Sequence, residues 1–136
     1  MSFFVKPFGI LAVQLVAGLL AVESGQDAQI RTLLYERKDT QLYGVTVGEI
    51  TDRLSDLRNT LGHSGIVDEG IVVPACLGAE GKINGNTLAG DTFSVGYART
   101  PEQIFSVVYG SGSASQPGGF YPRGADGTIA RSLLSG

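Results

Sequence analysis

Leu15 to Arg37, LVAGLLAVESGQDAQIRTLLYER, decides how the rest of the chain is read. At roughly 100° per residue it forms one amphipathic helix. Leu15, Leu19, Val22, Ile30 and Leu33 share a face, with Leu34 at its edge. Gln14, Ala21, Ala28 and Thr32 fall opposite. Glu23 and Gln26 interrupt the apolar face at i,i+3. A carboxylate buried there needs a partner, a proton or a metal, because burying it bare costs several kcal/mol. Asp27 lies on the flank, one turn before Arg31, at the spacing of an i,i+4 ion pair.

An inward Glu followed three residues later by an inward His is how helix bundles assemble di-metal sites. Gln26 stands where that His would be, and a neutral amide is a poor ligand. The helix therefore reads as one wall of such a bundle with its metal chemistry reduced or lost. The simpler alternative is a core Glu hydrogen-bonded to a neighbouring helix.

Composition narrows the function classes. The 136 residues suit a single domain, and the net charge of −3 gives no electrostatic footprint for nucleic acid. Cys76 and His63 are the only residues of their types, which excludes an intramolecular disulfide, a cysteine zinc site and any site needing two histidines from one chain. Lys6 followed by FGILAVQLVAGLLAV resembles a secretory signal. That run is short for a membrane span, Gln14 interrupts it, and it flows without a break into the patterned helix. The first helix is expected from about Ile10 to Lys38, after a poorly ordered lead over 1–9.

Downstream, Asp39 to Val45 reads as a turn. Thr46-Val47-Gly48-Glu49 is a capping box. Ile50, Leu54, Leu57 and Leu61 then make a single apolar stripe, with Glu49 and Arg53 paired outside and Gly62 as the terminating residue. His63 reads as a solvated helix cap. Ile66-Val67 and Ile71-Val72-Val73 are short apolar runs that anchor to the helices or pair as brief strands. Cys76 reads as a small core residue. The Gly/Asn-rich segment from Gly78 to Asp91 reads as a loop. Thr100-Pro101-Glu102-Gln103 is a second helix start, with Thr as cap and Pro at the first turn. Its short apolar helix closes at Tyr109-Gly110. The loop that follows is anchored through Phe120, Tyr121 and Pro122, and Arg131 to Leu134 is a short tail. No phosphate-binding loop is present, since GSGSASQPGG follows a helix and lacks Gly-Lys-Ser/Thr. Ser64 beside His63 is adjacency rather than a catalytic geometry.

Five blocks, taken in order, resemble the ferritin-like desiccation-related proteins of land plants. They are LVAGLLAVESGQDAQIRTLLYER, YGVTVGEITDRLSDLRNTLG, LGAEGKINGNTLAGD, YARTPEQIFSVVYGSG and PGGFYPRGADGTIARSLL. The resemblance runs from about Leu15 to the end and covers only the C-terminal portion of that family; MSFFVKPFGILAVQ does not share it. It implies a mainly α chain with long irregular loops: the last helix of a truncated ferritin-like bundle, a capped amphipathic helix and a short C-terminal helix. Residues 1–39 would be the remnant of the ferritin-like domain and 40–136 a C-terminal extension. Glu23 would match a bundle ligand and Gln26 would not, so no metal, cofactor or catalytic residue is expected. The implied function is a desiccation- or water-stress-associated protein with a non-catalytic structural or protective role. The alternative is a ferritin-like iron- or manganese-binding protein whose site is degenerate in this chain. Family members usually begin with a secretory signal, although this start does not match theirs. The Leu15/Leu19/Ile30 face, short of partners within the chain, is expected to drive self-association or pairing with a full-length relative, with no nucleic acid and no membrane span.

Overall fold

The computed structural model describes residues 7–65, 67, 69–72, 90–91, 93 and 95–134. The elements run α1 (Pro7–Glu36), β1 (Gln41–Leu42), β2 (Val45–Thr46), α2 (Val47–Gly62), α3 (Pro101–Tyr109) and α4 (Thr128–Leu134). The chain is mainly helical with long loops, as the sequence predicts. The expectations for 1–6, Ile66, Val73, Pro74, Cys76 and most of the Gly/Asn-rich loop lie outside the described residues.

Helix α1 is longer at its start and shorter at its end than its pattern suggests. Proline lacks the amide that a first turn leaves unpaired anyway, so Pro7 does not limit the helix, which already includes it. Over Gly9–Glu36 it is long and apolar enough to cross a membrane by length and composition, criteria that a core helix or a signal sequence also meets. The segment after α1 is more than a turn. Gln41 pairs with Thr46 and Leu42 with Val45 in a two-residue antiparallel ladder. Tyr43 and Gly44 both have positive φ, 52° and 87°, the backbone of a primed hairpin turn.

The hairpin delivers Thr46 as the cap of α2. The Thr46 amide donates to Glu49 Oε2 at 2.7 Å, and the Glu49 amide donates back to Thr46 Oγ1 at 3.1 Å. Glu49 is thus spent on the cap; Arg53 contributes only charge attraction to it. Gly48 faces the end of α1 so closely that a Cβ would lie 3.1 Å from Val72 Cγ2 and 3.3 Å from the Lys38 carbonyl. This glycine is needed for approach, not for conformation.

At the other end of α2 the helix runs through Gly62, and the left-handed residue is His63 at φ 51°. Gly62 is buried, and a Cβ on it would meet Val107 Cγ2 of α3 at 3.3 Å. Close packing claims the glycine, and the terminating turn falls to the next residue. His63 is an exposed cap, as expected, and its Nε2 also donates to the Gly112 carbonyl at 2.9 Å. Helix α3 starts and stops where the sequence places it: a Thr100/Gln103 capping box, Pro101 in the first turn, and Gly110 at φ 67°.

Three expectations need correction. The stripe on α2 is not core: Leu54 and Leu57 are 53 % and 51 % exposed, while Val47, Gly48, Ser55 and Gly62 are buried. The chain approaches α2 on its glycine and serine side, where close contact is possible. The loop after α3 is not anchored by Phe120, which is 85 % exposed. Buried Tyr109 holds it instead: its hydroxyl accepts from the Ala125 amide at 2.9 Å, and Tyr121 meets its ring edge-on. Gly119 presses on this anchor, with φ 47° and room for no Cβ against the Val108 carbonyl. The short tail is helix α4, flanked by an exposed Asp126–Arg131 ion pair.

Thr46→Ala is expected to cost about 0.5–2 kcal/mol in urea melts through loss of the cap. Leu57→Ala should cost less than the ~2–5 kcal/mol of a fully buried leucine, because half of its surface is already wet. The Thr46 amide, then its hydroxyl, hold the Glu49 carboxyl below the usual glutamate range. The depressed value means that the Glu49 contribution is present above the ordinary glutamate pKa of about 4.3 and is lost as pH falls through the lowered folded value. Glu49→Gln should remove that part of the acid sensitivity when melts are compared across pH.

Candidate functional site

The densest polar arrangement among the described residues surrounds Glu69. The local sequence GIVDEGI has no helical or alternating period, so its backbone groups need partners from elsewhere. Helix α2 supplies two. Ser55 Oγ accepts from the Glu69 amide at 2.9 Å and donates to the Val67 carbonyl at 3.4 Å. Asn59 Oδ1 accepts from the Val67 amide at 3.0 Å. Helix α1 supplies a third, since Arg31 donates to the Glu69 carbonyl at 3.0 Å and to the Gly70 carbonyl at 2.9 Å. Val67 and Ile71 on either side are buried, Ile71 almost completely. Of the two apolar runs, Val67 and Ile71 are seen to be buried, the anchoring that is one of the two alternatives the sequence leaves open; Ile66 and Val73 lie outside the described residues.

The Glu69 side chain completes the arrangement. Arg99, two residues before α3, donates to both carboxylate oxygens at 2.9 and 3.2 Å in a bidentate fork. Arg58 of α2 reaches Glu69 Oε2 at 2.6 Å. The Glu69 and Arg99 side chains are 14 % and 13 % exposed, and Arg58 is more open. Arg58 Nε, Arg99 Nε and Ser64 Oγ are buried without a hydrogen-bond partner among the described residues. Glu69, Arg58 and Arg99 went unread in the sequence. The only available signal was a lone Glu between two apolar runs, with arginines dispersed over 68 residues.

The residues singled out from the sequence lie elsewhere. Glu23 and Gln26 are exposed on α1, well before the Arg31 anchor. The described residues leave the apolar face around Glu23 exposed. No group of three or more His, Cys, Asp or Glu side chains among the described residues is placed to hold a metal. Arg31 and Asp27 do approach, at 4.0 Å, but the guanidinium is directed mainly at the two carbonyls.

A second feature is an apolar groove of about 520 Å³ between α2, α3 and the loop after α3, lined by Leu54, Leu57, Leu61, Val107 and Phe120, with Arg58 at its edge. The Glu69 cluster can clamp elements together, and the groove can receive apolar surface. Neither presents a nucleophile beside a base.

These features define a helical chain whose buried charge is used for assembly. Comparison places it more closely. It is 52 % identical over 123 residues to the ferritin-like catalase Nec2 of Nesocodon mauritianus, a match covering 89 % of this chain and 40 % of that protein. It is 50 % identical over 116 residues to the desiccation-related protein PCC13-62 of Craterostigma plantagineum, covering 84 % and 37 %. The chain belongs to this ferritin-like, desiccation-related family of plant proteins and spans about two-fifths of the length of these relatives. No family model matches the chain, and no solved structure matches it.

Glu69→Ala should cost about 2–4 kcal/mol, since it leaves the nearly buried Arg99 charge and the Arg58 guanidinium without their acceptor. Asp126→Ala, which breaks an ion pair 70 % and 82 % exposed, should cost under about 1 kcal/mol. Parallel urea melts of the two variants check the ordering.

Proposed function

We propose that this chain is a non-catalytic structural member of its family, associated with water stress as the name of the Craterostigma relative suggests. Residues 1–39 then belong to a ferritin-like domain, to which they contribute one bundle helix, and residues 40–136 are an extension clamped to the C-terminal end of that helix. The observation that carries this reading is the state of the charged groups. Glu69, drawn out of water, has both oxygens committed to arginine donors. Glu23, the one residue that matches a bundle ligand, stands on an open helix beside an amide rather than an imidazole. A bundle di-metal helix of this kind follows its Glu three residues later with a His, and α1 carries Gln26 at that position.

The identity to a ferritin-like catalase favours a second reading, in which the chain retains metal at Glu23 and turns over peroxide. Elemental analysis of the dialysed chain and oxygen evolution from hydrogen peroxide separate the two. The structural reading expects no stoichiometric iron or manganese and no oxygen release above that of the boiled chain. One metal ion per chain with turnover, both lost on Glu23→Gln, would establish the second reading instead.

A further inference from the structure

Asp126 is the one aspartate in the chain that glycine follows. The pair sits between two ties. Before it, the Ala125 amide donates to the Tyr109 hydroxyl at 2.9 Å. After it, the Arg131 amide donates to the Gly127 carbonyl at 3.0 Å and closes the first turn of α4. Between these ties the Gly127 amide donates to Oδ1 of Asp126 at 2.7 Å. A carbonyl carbon lies about 1.2 Å from its oxygen, so the Gly127 nitrogen and Asp126 Cγ are less than about 4 Å apart. Gly127 takes this conformation at φ 115°, which is open to it because it lacks a Cβ.

We propose that Asp126-Gly127 is a modification site, at which Asp126 converts to isoaspartate through a cyclic imide. An amide that loses its proton keeps a lone pair along the former N–H bond, and here that bond is directed at the carboxyl group. The Gly127 nitrogen attacks Cγ of the protonated carboxyl. A C–N bond forms and the bond from Cγ to Oδ2 breaks. The amide proton and the departing hydroxyl make up the one water released. Arg131 Nη1, 3.0 Å from Oδ1, holds the carboxyl in this orientation, so Oδ2 is the oxygen that leaves. Water then opens the imide. Addition at Cγ restores aspartate. Addition at the former main-chain carbonyl of Asp126 leaves the chain running through the side chain, which is isoaspartate. Nothing is oxidised or reduced.

Proximity carries the reaction. Reacting groups held near contact distance have much of their barrier removed in advance, and a displacement of about 1 Å can cost 100-fold. The two groups belong to adjacent residues, and the contacts that hold them lie within residues 125–131 and Tyr109. The geometry therefore asks nothing of the surface around it. The product carries one more main-chain carbon between the Tyr109 tie and the first turn of α4, which uncouples that helix from its anchor.

Peptide mapping with electron-transfer fragmentation, which tells isoaspartate from aspartate, reads the site after prolonged warm incubation of the whole chain at mildly acidic pH. Mapping also keeps residue 126 apart from Asn84-Gly85, where deamidation gives the same product. Isoaspartate should accumulate at residue 126 at least about tenfold faster than at Asp27, Asp39, Asp56 or Asp91. It should form faster in the native chain than in urea, where the held geometry is lost. Asp126→Glu keeps the charge, but its extra methylene moves the carboxyl carbon, and conversion at 126 should fall by about 100-fold. Asp126→Asn reaches the same imide with ammonia leaving, so it should give isoaspartate at 126 even at mildly alkaline pH, where the wild-type carboxyl is ionised and its conversion slows. In the aged wild-type chain, amide exchange should rise over α4 and stay unchanged in α3. Conversion at 126 no faster than at the other aspartates, faster in urea than in the native chain, or undiminished in Asp126→Glu would overturn the proposal, as would unchanged exchange over α4 in fully converted chain.

Discussion

Val67 and Glu69 to Ile71 lie outside every helix and strand, yet they include the most completely buried large side chain among the described residues, Ile71. A backbone in that position has to find partners for its amides and carbonyls, or it costs more than its apolar side chains return. Ser55, Asn59 and Arg31 provide them from two helices, and Glu69 extends the network to Arg58 and Arg99. One short segment thereby ties α1, α2 and the approach to α3 together. The apolar core around it is small, with Val47, Val67, Ile71 and Tyr109 buried among the described residues. In a body built this way, the polar ties decide which elements stay together.

What was legible in the sequence was local. Both capping boxes, at Thr46 and Thr100, depend on residues three apart, and both formed with the donors and acceptors expected. Long-range pairings were not legible. Arg31 sits four residues from Asp27, and that spacing suggested the pair; its better partners are carbonyls 38 and 39 residues away. The stripe from Ile50 to Leu61 has the correct helical period, but period shows which residues share a face and not whether anything covers it. Here the neighbours took the glycine and serine side, where helices approach closely, and left half of Leu54 and Leu57 in water. Gly62 shows the same competition, since packing against Val107 displaced the terminating turn onto His63.

The same distinction governs the candidate site. Glu23 and Gln26 were readable as positions on a helix, and the structure keeps them on one helix in the open. The family assignment rests on identity of about one residue in two to two plant proteins over most of this chain. Those relatives carry much more sequence than the part matched here. Among the described residues, the side chains around Glu69 hold segments in place.

Amide hydrogen exchange on the wild-type chain and on Arg31→Ala tests most directly whether side-chain ties to the 67–71 backbone hold α1 to the body. Removal of the guanidinium should raise exchange at Glu69, Gly70 and Ile71 and over the last two turns of α1. The amides of α2 and α3, closed by their own caps, should keep their protection. Unchanged exchange at 69–71, or an equal loss of protection throughout α2 and α3, would contradict this account.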